Sequence, residues 1–141
     1  PGIPSIYYGS EWGVEGARTS TCDDMLRPAI SPDQFKELHT KLTDHIARLA
    51  RLHRTHPALG TGAYKELLLT NRQYAYARSL GDEHIITAVN IDDAPASFSF
   101  RLPMGGGLAR DLFSEEEIAV ADGSFTLSLE PCESKIFKIV G

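Results

Sequence analysis

The most informative segment for the fold class is Asp122-Gly123-Ser124-Phe125-Thr126-Leu127-Ser128-Leu129. Polar and apolar residues alternate from Ser124 to Leu129, which is typical of a strand with one buried and one solvated face. The Asp-Gly pair before it is a strong turn signal, and the apolar segment Ile118–Val120 lies on its other side. We therefore expect a β-hairpin here, and antiparallel structure around it.

The same pattern continues through most of the C-terminal half. Short apolar segments separated by turn residues predict eight strands: Tyr64–Thr70, Gln73–Ser79, His84–Ile91, Ala96–Leu102, Leu108–Asp111, Ile118–Val120, Ser124–Leu129 and Ser134–Val140. Strands of this length and spacing are typical of an antiparallel sandwich. Most aromatic residues of this region fall at alternating positions, which predicts a core position for them: Tyr64, Tyr74, Tyr76, Phe98, Phe100, Phe113, Phe125 and Phe137.

A helix is predicted ahead of the sandwich. Ser31 can cap its N-terminus, Pro32 suits the first helical position, and Gln34 completes a capping box. Pro57 should end the helix at or before His56. Within the predicted helix, apolar residues recur every three or four positions, at Phe35, Leu38, Leu42, Ile46 and Leu49. This stripe needs a packing partner, because a single helix cannot bury it.

Composition excludes several function classes. The 141 residues carry 14 Lys and Arg against 19 Asp and Glu, a net charge of −5. An acidic chain offers no basic surface for nucleic acid or anionic lipid, and no apolar run is long enough to span a membrane. The two cysteines, Cys22 and Cys132, are predicted to be free thiols rather than one disulfide, which favours the cytoplasm.

Local clusters of polar residues do not predict a site. The run Glu115-Glu116-Glu117 is typical of a solvated turn. The spacing His53-x-x-His56 could bind zinc, but no Cys or acidic partner is close in sequence, so we predict a role at the helix end. Gly105–Gly107 lacks the residues of a phosphate loop and indicates a flexible connection. No metal, cofactor or catalytic residue is predicted.

The opening segment is Gly2-Ile3-Pro4-Ser5-Ile6-Tyr7-Tyr8-Gly9-Ser10-Glu11. Ile6–Tyr8 favours a buried strand, and a polar loop follows as far as Ser31. The segment resembles the eighth barrel strand of the alpha-amylase family, glycoside hydrolase family 13, whose motif is roughly G-x-P-x-x-Y-Y-G-x-E. Further resemblance follows in order along the chain, at Gly13–Gly16, Arg27-Pro28, Leu52–Gly62, Tyr74–Arg78 and Ile86–Asn90.

The resemblance implies two domains. Residues 1–58 would be a remnant of a (β/α)8 barrel, comprising its last strand, the loop after it and its last helix. Residues 59–141 would be the C-terminal Greek-key β-sandwich. The apolar stripe of the helix would then pack on the barrel, and in its absence the exposed surfaces predict a homo-oligomer.

The resemblance also implies a function. Family members cleave or transfer alpha-glucosidic bonds with retention, using carboxylates on barrel strands that would precede Pro1. The chain is therefore expected to be an inactive, noncatalytic portion of an alpha-glucan-acting hydrolase, packing on the barrel and stabilising it. The alternative is a carbohydrate-binding module that holds alpha-glucan oligosaccharides.

Three residues of the loop are the candidates for sugar contact. In the family, loops after barrel strands line the substrate cleft, so Glu11, Trp12 and Arg27 are implied as cleft residues of the parent enzyme. A tryptophan can stack on a sugar face, and an arginine can bind hydroxyls. The other interpretation is that Glu11 and Arg27 pair within the loop while Trp12 covers the barrel rim.

Overall fold

The computed structural model describes residues 2–31, 33–34 and 40–141. These form two compact units, Gly2–Thr55 and His56–Gly141. This division lies slightly before the expected domain boundary between residues 58 and 59, which stays a prediction.

The unit His56–Gly141 is an antiparallel β-sandwich, as predicted. Its strands are β1 (Ala63–Leu69), β2 (Gln73–Leu80), β3 (Glu83–Asn90), β4 (Ala96–Arg101), β5 (Gly107–Asp111), β6 (Glu117–Val120), β7 (Ser124–Leu129) and β8 (Ser134–Val140). One sheet has the order β1-β2-β3-β8-β5-β6, and the other consists of β4 and β7. All eight predicted strands form, within one or two residues of the predicted ends.

The core lies between the two sheets. The two-stranded sheet contributes large side chains to it, and their outward neighbours are exposed, so the predicted alternation is confirmed. The facing positions of the six-stranded sheet are often alanine, at Ala75, Ala77, Ala88 and Ala109. Phe125 lies at the centre, with edge-to-face contacts to Phe100 at 5.6 Å and to Phe137 at 5.2 Å between ring centroids. Large residues on one sheet thus fill the space left by small residues on the other.

The prediction that the strands on either side of Asp122-Gly123 pair as a hairpin is wrong. The turn itself forms, with positive φ at both Asp122 (50°) and Gly123 (72°). However, β6 joins the six-stranded sheet and β7 pairs with β4, leaving a single bridge between Ala121 and Ser124. The turn therefore carries the chain from one sheet to the other.

The unit Gly2–Thr55 contains helix α1 (Lys41–Thr55) and two short 3-10 turns, Ser10–Trp12 and Asp24–Leu26. The strand expected at Ile6–Tyr8 is not formed, because no partner strand lies beside it among the described residues of this unit. A segment without a ladder partner gains none of the hydrogen bonds that define a strand.

The predicted helix is only partly described. Ser31 N–H donates to Gln34 Oε1 at 2.7 Å, which confirms that half of the capping box. Pro32, Phe35 and Leu38 lie outside the described residues. The helix expected from Ser31 is interrupted at Thr40, which is not helical. The backbone N–H of Thr40 donates to Thr43 Oγ1 at 3.1 Å, and α1 begins at the next residue.

Pro57 ends α1 as predicted, and a short helix α2 (Pro57–Thr61) follows directly with the proline at its start. Both cysteines are free thiols and exposed, in agreement with the prediction. Within the described residues, no helix combines the length and apolarity that crossing a membrane would require.

Candidate functional site

A cavity of about 300 Å³ lies in the unit Gly2–Thr55. The described residues that line it are Tyr8, Gly9, Glu11, Trp12 and Ile30. It therefore brings together two of the three residues that the sequence predicted as sugar contacts, Glu11 and Trp12. Their assignment as binding residues stays a prediction.

Local hydrogen bonds hold the cavity in shape. Gly9 has φ +84°, a conformation that favours glycine, and a Cβ there would meet Val14 at 3.0 Å. Trp12 N–H and Val14 N–H both donate to Gly9 O, at 3.0 and 3.1 Å. Two longer-range bonds fix the walls, since Tyr8 Oη donates to Pro28 O at 3.1 Å and Thr43 Oγ1 donates to Glu11 O at 2.7 Å.

The Glu11 carboxylate is incompletely satisfied. Its Oε2 atom is buried and has no hydrogen-bond partner among the described residues. A buried acceptor without a donor costs free energy, and the cost is larger for a charged group. The cavity can therefore supply an acceptor to a ligand that brings a hydroxyl or another donor.

Arg27 does not line this cavity. Its guanidinium lies 3.6 Å from Asp23, which also contacts Arg18 at 3.2 Å, and all three side chains are exposed. The expected loop pairing of Arg27 is thus formed with Asp23 rather than with Glu11. Exposed pairs of this kind contribute little to stability.

The sandwich carries a cluster of three tyrosines, Tyr64, Tyr74 and Tyr76, here called the tyrosine patch. The prediction that these residues belong to the core is wrong. Ala75 and Ala77 face the core, so their neighbours in β2 lie on the outer face of the six-stranded sheet. Ring centroids lie 5.8 Å apart for Tyr64 and Tyr76 and 5.4 Å for Tyr74 and Tyr76. Tyr64 is 42% exposed.

The hydroxyl groups of the patch are coupled. Tyr64 Oη and Tyr74 Oη form a short hydrogen bond. This bond, together with burial and the neighbouring Glu66 carboxylate, raises the pKa of Tyr74 to about 12. The patch therefore combines aromatic faces with polar tips, as is typical of aromatic residues at interfaces.

A second group of side chains, here called the junction clamp, consists of Arg78, His56 and Glu83. Buried Arg78 donates from Nε to Ala58 O at 3.2 Å and from Nη2 to Gly60 O at 3.1 Å. Glu83 accepts from the Ala58 backbone N–H at 2.9 Å and lies 2.8 Å from His56 Nδ1. The clamp holds α2 on the same outer face that carries the tyrosine patch.

The junction clamp also changes the pKa of the Glu83 carboxyl. Partial burial of the Glu83 carboxyl acts to raise its pKa, but the hydrogen bond from Ala58, the contact with His56 and the nearby Lys138 outweigh it, so its pKa is lowered. His56 thus has an acidic partner that its sequence neighbours did not reveal. Among the described residues, no cluster of His, Cys, Asp or Glu is arranged to hold a metal ion.

The acidic run is a surface feature, as predicted. Glu116 pairs with Lys135 at 2.8 Å, and Glu117 pairs with Arg110 at 2.7 Å. The hydrogen bond to Glu116 raises the pKa of Lys135, although burial opposes it. These two carboxylates are engaged in ion pairs along the sheet.

Comparison with known proteins points to one family. Residues 64–136 match the family described as Maltogenic Amylase, C-terminal domain. The chain is 30% identical over 139 residues to a beta/alpha-amylase from Paenibacillus polymyxa, covering 96% of this chain and 11% of that protein. It is 29% identical over 138 residues to neopullulanase 2 from Thermoactinomyces vulgaris, covering 96% of this chain and 23% of that protein. The chain thus spans less than a quarter of the length of either relative.

Solved structures share the fold. An alpha-amylase from Anoxybacillus superposes with a TM-score of 0.80 at 22% identity, covering 99% of this chain and 29% of that one. A cyclomaltodextrinase superposes with a TM-score of 0.79 at 24% identity, over 96% of this chain and 23% of that one. In both proteins the matching part belongs to a longer chain.

Proposed function

The chain belongs to the maltogenic amylase C-terminal domain family, within the alpha-amylase family that its opening motif resembles, and from this premise we propose a noncatalytic, supporting function. The larger enzyme is a retaining glycoside hydrolase acting on alpha-glucans. The names of the relatives, beta/alpha-amylase and neopullulanase, support this substrate class. The chain packs on the catalytic barrel and stabilises it.

The observation that carries this proposal is the surface beside the junction clamp. The clamp fixes the start of the sandwich unit onto the outer face of the six-stranded sheet. The tyrosine patch lies on the same face, where Tyr64 is exposed and Tyr74 and Tyr76 are half-buried. Aromatic residues with polar tips are enriched where one protein surface covers another. We place the contact with the barrel on this patch.

A chimera tests the supporting function. The matching segment of neopullulanase 2 is replaced by this chain, either with its native sequence or with Tyr64→Ser. We expect Tyr64→Ser to lower the melting temperature of the chimera by several degrees and to leave that of the isolated chain nearly unchanged, because Tyr64 is covered only in the chimera. Thr126→Ala, on the outer face of the other sheet, is the control. Equal effects of Tyr64→Ser in both contexts would contradict the proposal.

The tyrosine patch also favours the second candidate function, oligosaccharide binding by the sandwich. Aromatic faces with adjacent hydroxyls suit a sugar ring as well as a protein surface. Titration calorimetry of the isolated chain with maltoheptaose separates the two functions. Saturable heat that Tyr76→Ala abolishes would support a binding module, whereas a supporting domain gives no heat that depends on Tyr76.

Self-association of the isolated chain follows from the supporting function. Apolar side chains that the barrel would cover are exposed, among them Ile3, Ile6, Leu42 and Leu49. Contiguous exposed apolar surface favours association. Light scattering should show a mass that rises with concentration, and a constant monomer mass would count against this part of the proposal.

A further inference from the structure

The tyrosine patch lies beside a carboxylate on the outer face of the six-stranded sheet. Glu66 of β1 pairs directly with Tyr76 of β2 in the sheet register, so their side chains share that face. Glu66 is exposed. Its charge reaches the hydroxyl end of the patch, since the Glu66 carboxylate is one of the groups that raise the pKa of Tyr74. The patch is therefore bordered by negative charge.

No cation among the described residues pairs with Glu66. The ion pairs printed on the sandwich surface use other carboxylates. Arg78 lies on the same face of β2 as Tyr76, but its side chain is buried and donates to Ala58 O and Gly60 O. The Glu66 carboxylate can therefore accept a cation from another molecule or domain.

The polar groups of this surface are mainly hydrogen-bond acceptors. Glu66 contributes two carboxylate oxygens. Tyr64 Oη and Tyr74 Oη hydrogen bond to each other, which uses one of their two hydrogens and leaves lone pairs on both oxygens. The faces of the tyrosine rings are also electron-rich and attract cations. The surface therefore favours a partner that is positively charged and rich in donors.

Coverage by a protein surface makes this preference stronger. An apolar side chain over the patch would leave the Glu66 carboxylate covered and unpaired, which costs free energy. An acidic side chain would be repelled by Glu66. Arginine fits best, because its planar guanidinium stacks on aromatic faces, carries five N–H donors and can bind a carboxylate through two of them.

We propose that the tyrosine patch and Glu66 together bind an arginine side chain of the catalytic barrel. The guanidinium stacks on the ring of Tyr76, which contacts the rings of both Tyr64 and Tyr74, and donates to the carboxylate of Glu66. The partner arginine lies on the barrel surface that the proposed function places over the patch, so this assignment rests on that function.

Small ligands test the preference for a cation directly on the isolated chain. N-acetyl-arginine amide is titrated into the chain while the ring protons of Tyr76 are followed by NMR. We expect a progressive shift with this compound and none with N-acetyl-citrulline amide, which has a similar shape but no charge. Equal responses to the two compounds, including no response to either, would overturn the proposal. A shift with maltoheptaose alone would place a sugar on the patch and would overturn it as well.

Variants of Tyr76 test the stacking. Tyr76→Phe keeps the ring face, whereas Tyr76→Leu keeps only apolar bulk. The response of the Tyr64 and Tyr74 ring signals to N-acetyl-arginine amide should persist in Tyr76→Phe and weaken several-fold in Tyr76→Leu. Equal responses of the two variants would contradict stacking on this ring.

The sign of a charge-removing substitution tests the contact with the barrel. Glu66→Gln should lower the melting temperature of the neopullulanase 2 chimera by a few degrees, because a charge-assisted hydrogen bond is lost, and should leave that of the isolated chain unchanged. Asp93→Asn, at an exposed position between β3 and β4, should change neither. An unchanged or raised melting temperature of the Glu66→Gln chimera would overturn the proposal, since removal of an unpaired charge relieves an apolar contact.

The supporting function is judged separately by Tyr64→Ser. A chimera that Tyr64→Ser destabilises and Glu66→Gln does not would keep the supporting function and reject arginine as the partner. A chimera that neither substitution affects would reject both.

Discussion

The two units of the chain are stabilised by different means. The unit His56–Gly141 has a continuous apolar core in which Phe125, Ile86 and Phe137 are completely buried. In the unit Gly2–Thr55, Gly9 is the only buried residue among those described. Helix α1 buries none of its side chains, and Ile3 is 97% exposed. Short-range hydrogen bonds hold this unit together instead, such as those around Gly9 and Thr43.

The difference shows which unit can be stable by itself. Burial of apolar surface is the dominant favourable contribution to folding, and the sandwich obtains it between its own two sheets. Among the described residues of the unit Gly2–Thr55, Leu42 and Leu49 of the predicted apolar stripe are exposed, as are Ile3 and Ile6 near its start. Such a pattern without cover is expected of a segment whose packing partner lies elsewhere in a larger enzyme.

Removal of the central core residue should have the largest effect. Phe125→Ala leaves a cavity between the sheets and should lower the free energy of unfolding by about 3–5 kcal/mol. Leu49→Ala, in the exposed stripe of α1, should change it by less than about 0.5 kcal/mol. Urea denaturation followed by far-ultraviolet circular dichroism measures both. Similar losses for the two variants would show that the comparison between the units is wrong.

Replacement of a buried polar residue of the sandwich should have the second largest effect on the free energy of unfolding. Asn90 is fully buried, donates from Nδ2 to Ala94 O and Glu130 O at 3.0 Å each, and accepts from Gln73 Nε2. Asn90→Ala removes the donor to Ala94 O and the acceptor of Gln73 Nε2, at a cost of about 1–3 kcal/mol. The exposed Asn71, in the turn before β2, provides the control as Asn71→Ala. Urea midpoints that do not separate the two variants would contradict this role.

The strands could be predicted because their signals are local. Alternation in Phe125-Thr126-Leu127 and turn residues between the segments set each strand without reference to its partner. The capping box at Ser31 and Gln34 and the stop at Pro57 are likewise encoded within a few residues. The strands, the bond from Ser31 N–H to Gln34 that makes half of the capping box, and the helix end before Pro57 form as predicted.

The failures concern partners that are distant in sequence. The turn at Asp122-Gly123 was assigned correctly, but which sheet β7 joins depends on β4. The alternating positions of the tyrosines of β2 predict a core location, but it is the intervening residues, Ala75 and Ala77, that face the core. At the candidate site, the family resemblance of the loop grouped Arg27 with Glu11 and Trp12, although Arg27 pairs with Asp23.

A smaller, pH-dependent effect should come from the junction clamp. The pKa of Glu83 is lowered in the folded state, so its contribution to stability is present above the ordinary value, near pH 4.5, and is lost as pH falls through the lowered pKa. Glu83→Gln should therefore cost up to about 1 kcal/mol at pH 6, a value typical of a partly exposed pair, and less at pH 3. Asp82→Asn, at an exposed position in the turn just before β3, is the control. Urea denaturation at both pH values should show that the difference in unfolding free energy between the native chain and Glu83→Gln shrinks at pH 3, and that the difference for Asp82→Asn does not. A pH-independent difference for Glu83→Gln would contradict the stabilising role of the junction clamp.

The smallest effect on stability, but the most local signal, is expected at the tyrosine patch. The hydrogen bond with Tyr64 is the main reason that the pKa of Tyr74 is raised to about 12, and the folded state therefore loses stability as pH rises from about 10 through 12. In an alkaline absorbance titration, Tyr64→Phe should move the late-titrating tyrosine back toward about 10. Tyr7→Phe, which removes a tyrosine from the other unit, should leave that late step in place, and circular dichroism at each pH shows whether the fold persists. A late step that survives Tyr64→Phe would mean that burial, not the hydroxyl pair, holds the proton on Tyr74, and the patch would then be a more enclosed surface than a docking face requires.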